Sequence, residues 1–363
     1  MSKSIVMLLV FILLTSSYIL TFLPVQAEPK NIVVPDDYQT ISSAIGNATT
    51  GDTIFVKKGI YEEKTLEINK TLSLIGEDSN ETTINLHPPY NVTTIITQTF
   101  TDYANPITIK ADGVKISGLT INSDGGEISV TGNRIEIIDN IISAVLSVSG
   151  SCNMVAENSV LQLLLLENAS SSTISNNTLV SLALGYDYYP CSNNVISGNE
   201  IKGPGSFGIY ILGSSHNVFY ANYISDFQGT GAKYSGYGVV FASTSMSENN
   251  TFYHNIFIDS KGTVAIKDGE FATINFWDNG YEGNYWDDYN GTDGNRDGIG
   301  DTPYVIDSYN IDNYPLMLPY DIENDNVVLP PPEFFSTTLV IASVIIVAIV
   351  CIGLLVYFKK RKH

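Results

Sequence analysis

The sequence is poor in the residues that carry most metal and covalent chemistry. It has three cysteines and four histidines in 363 residues. It contains no His-x-His pair and no Met-rich tract, so no local motif marks a delivery site for copper. Arginine is equally scarce: before the C-terminal tail only Arg134 and Arg296 occur. Basic side chains number 18 against 38 acidic ones, a formal net charge of −20. A surface of that sign repels nucleic acid and anionic polymers, which excludes nucleic acid as a partner.

What the sequence does have begins with two apolar runs at its ends. Lys3, an uncharged stretch over residues 5–22 and Val25-Gln26-Ala27 together predict a signal peptide over 1–27, with an uncleaved anchor as the alternative. Residues 335–358 carry no charge and are long enough to cross a bilayer. Lys359-Lys360-Arg361-Lys362 follows, so the rule of positive charge inside puts residues 359–363 in the cytoplasm and the body outside. Residues 319–334 read as a polar linker. Setting aside Lys3 and the four basic tail residues leaves 13 basic against 38 acidic side chains, a net charge of −25 on the outside portion. Eight Asn-x-Ser/Thr sequons, beginning at Asn47, Asn69, Asn80, Asn91, Asn168, Asn176, Asn249 and Asn290, fit a glycosylated exterior.

Between the ends the chain repeats itself. Glu136-Ile137-Ile138-Asp139-Asn140 aligns with Met154-Val155-Ala156-Glu157-Asn158 and Thr173-Ile174-Ser175-Asn176-Asn177. The series goes on through Asn199, Asn222, Asn255 and Asn279, at intervals near 20 residues. A fixed period of that length is a solenoid signature. Each period holds two short β-branched or apolar runs divided by Gly, Ser, Asn or Asp, which is strand chemistry with turns and not helix chemistry. One turn of a parallel β-helix needs about this much chain, and its turns stack ~4.8 Å apart. The recurring Asn falls at a bend, where it tolerates a left-handed conformation and can bond to its neighbours along the axis. Cys351 falls in the apolar C-terminal run. Cys152 and Cys191 open turns two apart, beyond disulfide reach, and are expected as free, mostly buried thiols.

Tracts such as Ser192-Asn193-Asn194-Val195-Ile196-Ser197-Gly198-Asn199 resemble the repeats of NosD-type and carbohydrate-binding or sugar-hydrolase proteins of the pectin-lyase-like superfamily. Residues 32–78, with Gly51-Asp52-Thr53-Ile54-Phe55-Val56, and the segment from Gly283-Asn284-Tyr285-Trp286 to Pro315-Leu316-Met317 extend the resemblance over most of 31–318. The resemblance implies an all-β, right-handed parallel β-helix. It says little about activity, since one fold hosts many functions.

In order, the expected organisation is a strand and capping helix over 28–50, β-helix turns over 51–281 and a C-terminal cap over 282–318. The helix is expected over 38–46, capped by Asp36 or Asp37, with Ile41, Ala44 and Ile45 facing the coil's open end. Residues 87–105 break the rhythm and read as a side loop. Trp286, Tyr289, Tyr304 and Tyr314 are expected over the last turn. In the cap, Asp293, Asn295 and Asp297, the carbonyl of Ile299, and Asp301 match the start of a calcium loop, although position 12 is Tyr304 and not Glu. Calcium, in a structural role, is the one cofactor expected; a purely hydrogen-bonded turn is the alternative.

Two long insertions supply a candidate ligand surface. Tyr186, Tyr188 and Tyr189 lie in one, Tyr234 and Tyr237 in the other, each beside Gly and Asp. Flat rings among hydrogen-bonding groups suit sugars, and adjacent turns can bring the two loops to one side. The alternative is that the rings cover the coil's flank. A polysaccharide lyase needs a strong base beside acidic ligands, and neither arginine sits in such a cluster. A glycosidase needs two facing carboxylates, and Asp287-Asp288 is the only adjacent acidic pair late in the chain. The Gly-His-Gly turn of the hydrolases in the resembled group is missing. No catalytic residue is therefore singled out. The expectation is a membrane-anchored surface β-helix that binds polysaccharide or envelope glycans, or builds the envelope. A lyase or hydrolase, or a NosD-like accessory factor for copper-site assembly acting through partners, remains the alternative.

Overall fold

A computed structural model describes residues 28–95, 98–185, 189–203, 206–227, 236–242, 246–258, 262–266 and 273–322. The expected signal peptide (1–27) and membrane helix (335–358) lie outside the described residues. Within them, no helix is long and apolar enough to cross a membrane.

The body is a parallel β-helix. One wall is a ten-stranded parallel sheet that begins Asn31–Val34, Thr53–Val56, Ser73–Gly76 and ends Val218–Tyr220, Thr251–Tyr253. The other strands of each turn join a seventeen-stranded sheet. In the first wall register aligns one inward-pointing residue from each strand: Ile32, Ile54, Leu74, Ile116, Ile137, Val155, Ile174, Ile196, Phe219 and Phe252. All ten are 8% exposed or less. This file of branched and aromatic side chains is why strands of only three residues suffice: each is stabilised by its neighbours above and below.

Two columns of buried amides edge this wall. The first runs Asn140, Asn158, Asn177, Asn199, Asn222, Asn255 and Asn284, each backbone N–H donating to the next side-chain oxygen at 2.9–3.1 Å. The sequence alignment placed Asn279 last. Register instead sets Tyr285 beside Ile256, and hence Asn284 beside Asn255. Asn279 accepts the N–H groups of Tyr281 and Glu282 in a turn that lengthens this last repeat. The second column was not anticipated. It runs Asn153, Ser172, Asn194, Asn217, Asn250, Asn275 and Asn310.

Both ends are closed. The helix Ile41–Asn47 buries Ile41, Ala44 and Ile45 as expected, but its N-cap is Thr40, whose side chain accepts from Ser43 N. Glu63, almost wholly buried, also accepts from Ile41 N at 2.6 Å. Asp36 instead pairs with Lys57, and Asp37 bonds Val33 N, because both precede the helix by a full turn. At the other end aromatic rings stack: Phe219 on Phe252, Phe252 on Trp277, Phe257 on Trp286 and Trp286 on Tyr304, with centroids 4.3–4.6 Å apart. Tyr289 packs against this cluster, whereas Tyr314 is exposed. The break at 87–105 is an antiparallel hairpin, Tyr90–Ile95 with Gln98–Tyr103. Cys152 and Cys191 are free. Pairing of Ser151 with Ser170, and of Ser170 with Ser192, sets them two turns apart. Cys191 is buried, but Cys152 is exposed, because its left-handed backbone (φ 58°) turns it out of the wall.

Candidate functional site

The expected tyrosine surface is only partly in view: Tyr186, Tyr188 and Tyr234 lie outside the described residues. Tyr189 is 56% exposed. It follows the strand Thr178–Leu184, whose last residue pairs with Ile211, which pairs in turn with Phe241. Tyr237 opens the strand that Phe241 closes. Tyr189 thus lies beyond the end of its strand and Tyr237 at the start of a strand two turns further on, so the two residues sit toward opposite edges of the wall and are not brought together. The wall between them is covered. Leu164, Leu165 and Leu166 are all buried, and so are Val239, Val240 and Phe241. A strand buried at successive positions has chain packed on both faces.

The cap loop is tightly self-bonded. Asp293 accepts the N–H groups of Arg296, Asp297 and Gly298; Asn295 accepts Asp297 N; Asp297 accepts Ile299 N. Asp301 accepts Gly294 N and the Thr292 hydroxyl through one oxygen, Oδ2. Among the described residues no three His, Cys, Asp or Glu side chains share a point that would hold a metal ion. A calcium ion here would draw on Asp293 and Asp297 together with the amide oxygen of Asn295 and the carbonyl of Ile299. The acidic pair Asp287-Asp288 is exposed, and Asp288 accepts the Tyr304 hydroxyl at 3.3 Å.

The richest polar surface lies elsewhere, on the outer face of the early turns. Strands Gly59–Glu63, Thr82–Leu86 and Thr120–Ser123 lie side by side, with Glu62, Asn85 and Asn122 in register. All three point outward, and they bond in sequence. Asn85 donates to Glu62 at 2.8 Å, Asn122 to Asn85 at 3.1 Å, and the Ser143 hydroxyl to Asn122 at 3.1 Å. Gln162 then donates to the Ser143 carbonyl at 2.6 Å. A line of hydrogen-bonding groups thus runs along the coil axis, one per turn.

His87 stands at the head of this line. Its Nδ1 meets Asp124 at 2.5 Å and its Nε2 meets Glu62 at 2.7 Å, so a carboxylate faces each edge of the ring. Both contacts are satisfied at once only by an imidazolium. Asp124 first, and Glu62 second, raise the His87 pKa above its ordinary value. The Asn85 amide and then His87 hold Glu62 below the usual carboxylate range. Side-chain exposures of 51–65% keep these bonds in water and individually weak. Two clefts share His87 as a wall. One, of about 440 Å³, is lined by Ser42, Glu62, Glu63, Lys64 and Thr65. The other, of about 540 Å³, is lined by Pro88, Pro89, Tyr90 and Asp124. Sequence reasoning missed this site because its three members come from distant turns; the only available signal was a lone His at the point where the repeat breaks.

Comparison with known proteins gives one family and a set of folds. Residues 45–291 match the family model described as periplasmic copper-binding protein (NosD). Similar solved structures include a pectin methylesterase in complex with a hexasaccharide: 13% identity, TM-score 0.43, covering 69% of this chain and 92% of that one. A hyperthermoactive exopolygalacturonase from Thermotoga maritima gives 9% identity and a TM-score of 0.47, over 72% and 80% of the two chains. A PL6 family alginate lyase gives 12% and 0.38, over 64% and 40%. A search of curated proteins returns no match.

Proposed function

The chain belongs to the NosD family, and we propose that it works outside the cytoplasm as a membrane-tethered β-helix that binds glycans. The observation that carries this reading is the outward line Glu62, Asn85, Asn122, Ser143 and Gln162. Amide and carboxylate groups repeat there at the spacing of the turns, and a polyhydroxyl chain has hydroxyls to match them. The tether is the apolar run 335–358, supported by the basic residues after it. The strongly acidic exterior suits neutral partners better than anionic ones.

Copper, the metal in the family's description, does not fit the donors among the described residues. Between residues 28 and 322 the imidazoles are His87, His216 and His254. His87 is held between two carboxylates on opposite edges of its ring. His254 is nearly buried, bonded to Glu282 at 2.6 Å and stacked on Tyr320. Cys191 is buried with its thiol donating to the Leu166 carbonyl. His216 and Cys152 are exposed singly, and among the described residues no three His, Cys, Asp or Glu donors converge. For the loop containing Asp293, Asn295 and Asp297 we propose a structural calcium ion.

The test is a glycan array probed with the full-length chain purified in detergent, beside a copper titration. Retention of at least one glycan class with no stoichiometric copper uptake is expected. Tight copper binding with a blank array would overturn the reading.

A further inference from the structure

Resting on the glycan reading above, we propose that the face centred on Glu62, His87 and Asp124 is the binding site and that its ligand is a neutral glycan bearing vicinal hydroxyls. The sugar hydroxyls donate to the two carboxylates, and the pyranose C–H face lies on the exposed wall formed by Pro89 and Tyr90.

Four features converge on that ligand. First, acceptor capacity is left over: Glu62 spends one lone pair of Oε1 on Asn85 and one of Oε2 on His87. Asp124 uses Oδ2 for His87, and its Oδ1 takes no hydrogen bond from the described residues. Two carboxylates held apart by one imidazole offer acceptors on both sides of a ring edge, the arrangement a pair of neighbouring hydroxyls can span. Second, Asn85, Asn122 and Ser143 continue the row, so a chain laid along the coil axis meets a donor or acceptor at each turn. Third, Tyr90 is 59% exposed beside Pro88 and Pro89 in the larger cleft. An aromatic ring next to hydrogen-bonding groups suits an amphipathic sugar ring. Fourth, charge selects against acids. The charged groups lining the two clefts are Glu62, Glu63 and Asp124 against Lys64 and His87. With the imidazolium charged the balance is negative, and with it neutral more so. A uronate chain is repelled in either state.

His87 is a positioning residue in this scheme. As an imidazolium it bonds both carboxylates, keeps them ionised and fixes their separation. When the pH rises past its elevated pKa it retains one N–H, and one carboxylate is released.

Neutral oligosaccharides (glucan, mannan and galactan series) and uronate oligomers are titrated against the full-length chain in detergent. The same titrations use Glu62→Gln combined with Asp124→Asn, and His87→Ala. All three positions are exposed, so folding is expected to survive, and unchanged melting temperatures check it. At least one neutral series is expected to bind. The double variant should weaken it roughly tenfold, the scale of two exposed charge-assisted contacts. Wild-type affinity should fall severalfold as the pH rises through the His87 transition, and His87→Ala should abolish that dependence. Preference for uronates, or neutral binding that the double variant leaves intact, overturns the site while the glycan reading stands. No binding by any glycan overturns both.

Discussion

Asn284 hands the first amide column to Asp312: its backbone N–H donates to Asp312 Oδ2 at 2.8 Å, and the Trp286 indole N–H meets the same oxygen at 2.8 Å. Every earlier member donates toward the C-terminal end, so the last one needs an acceptor that does not itself donate onward. A carboxylate meets that need. The second column ends in the same way, with Asn310 N donating to Asp307 at 2.8 Å.

Asp312 therefore makes stability depend on pH. Burial pushes it from its ordinary value of 3.8 up to about 6, against the pull of its N–H donors. The native state thus holds the proton more tightly than the unfolded chain. The stabilising contribution is complete below about pH 4 and is lost as the pH rises through about 6, at most about 3 kcal/mol. Urea unfolding between about pH 4 and about pH 7 should show this loss in the wild type and not in Asp312→Asn. A parallel pH course in both proteins would refute it.

Asn222 tests the column itself. Its side-chain amide shares two N–H groups among Ile196 O, Tyr220 O and Asn255 Oδ1, and its oxygen accepts two N–H groups from Asn199. Asn222→Ala leaves several of these groups buried and unpaired, at a cost of about 2–4 kcal/mol. The denaturation midpoint is expected to drop accordingly. Asn176→Ala, one residue before the column and exposed, should cost less than half as much.

Among the described glycines, Gly185 makes the tightest approach to a backbone atom. It has φ +80°, and a Cβ there would overlap the Leu212 carbonyl oxygen of the next turn. Gly185→Ala adds backbone strain to that overlap, about 2 kcal/mol or more. A fall in melting temperature, with increased amide exchange in the strands Thr178–Leu184 and Phe207–Ile211, is the expected result.

The cap loop makes a separate prediction. Asp293 gathers three backbone N–H groups, which folds the segment so that the side-chain oxygens of Asn295 and Asp297 lie close by. Calcium is expected to raise the melting temperature of the full-length protein, a chelator to reverse the rise, and Asp293→Ala to abolish it. Insensitivity to calcium, with Asp293→Ala still destabilising, would assign the turn to hydrogen bonds alone.

How much of this was legible depended on range. Asn140 through Asn255 were found from spacing alone, because each packs on its own image one turn away. The second column hid in plain view: Asn153, Ser172, Asn194, Asn217 and Asn250 each stand five residues before a member of the first. One Ser in place of Asn blurred the pattern, although its hydroxyl accepts the same bond. Asn279 misled because the sequence imitates the repeat while the chain detours through a turn before Asn284. The grouping of Glu62, His87 and Asp124 had no local signature at all, since their proximity depends on the register of three separate turns.

The fastening of His254 between Glu282 and the ring of Tyr320 bears on how the molecule stands at the cell surface. It secures the departing chain beside the tryptophan-closed end, and in the sequence the proposed anchor at 335–358 follows soon after Tyr320. Ten strands at ~4.8 Å spacing put the opposite end roughly 40 Å further along the axis. With the chain tethered through the proposed anchor, the coil would serve as a mast with the face around His87 near its far end, where large polymers could reach it without approaching the lipid.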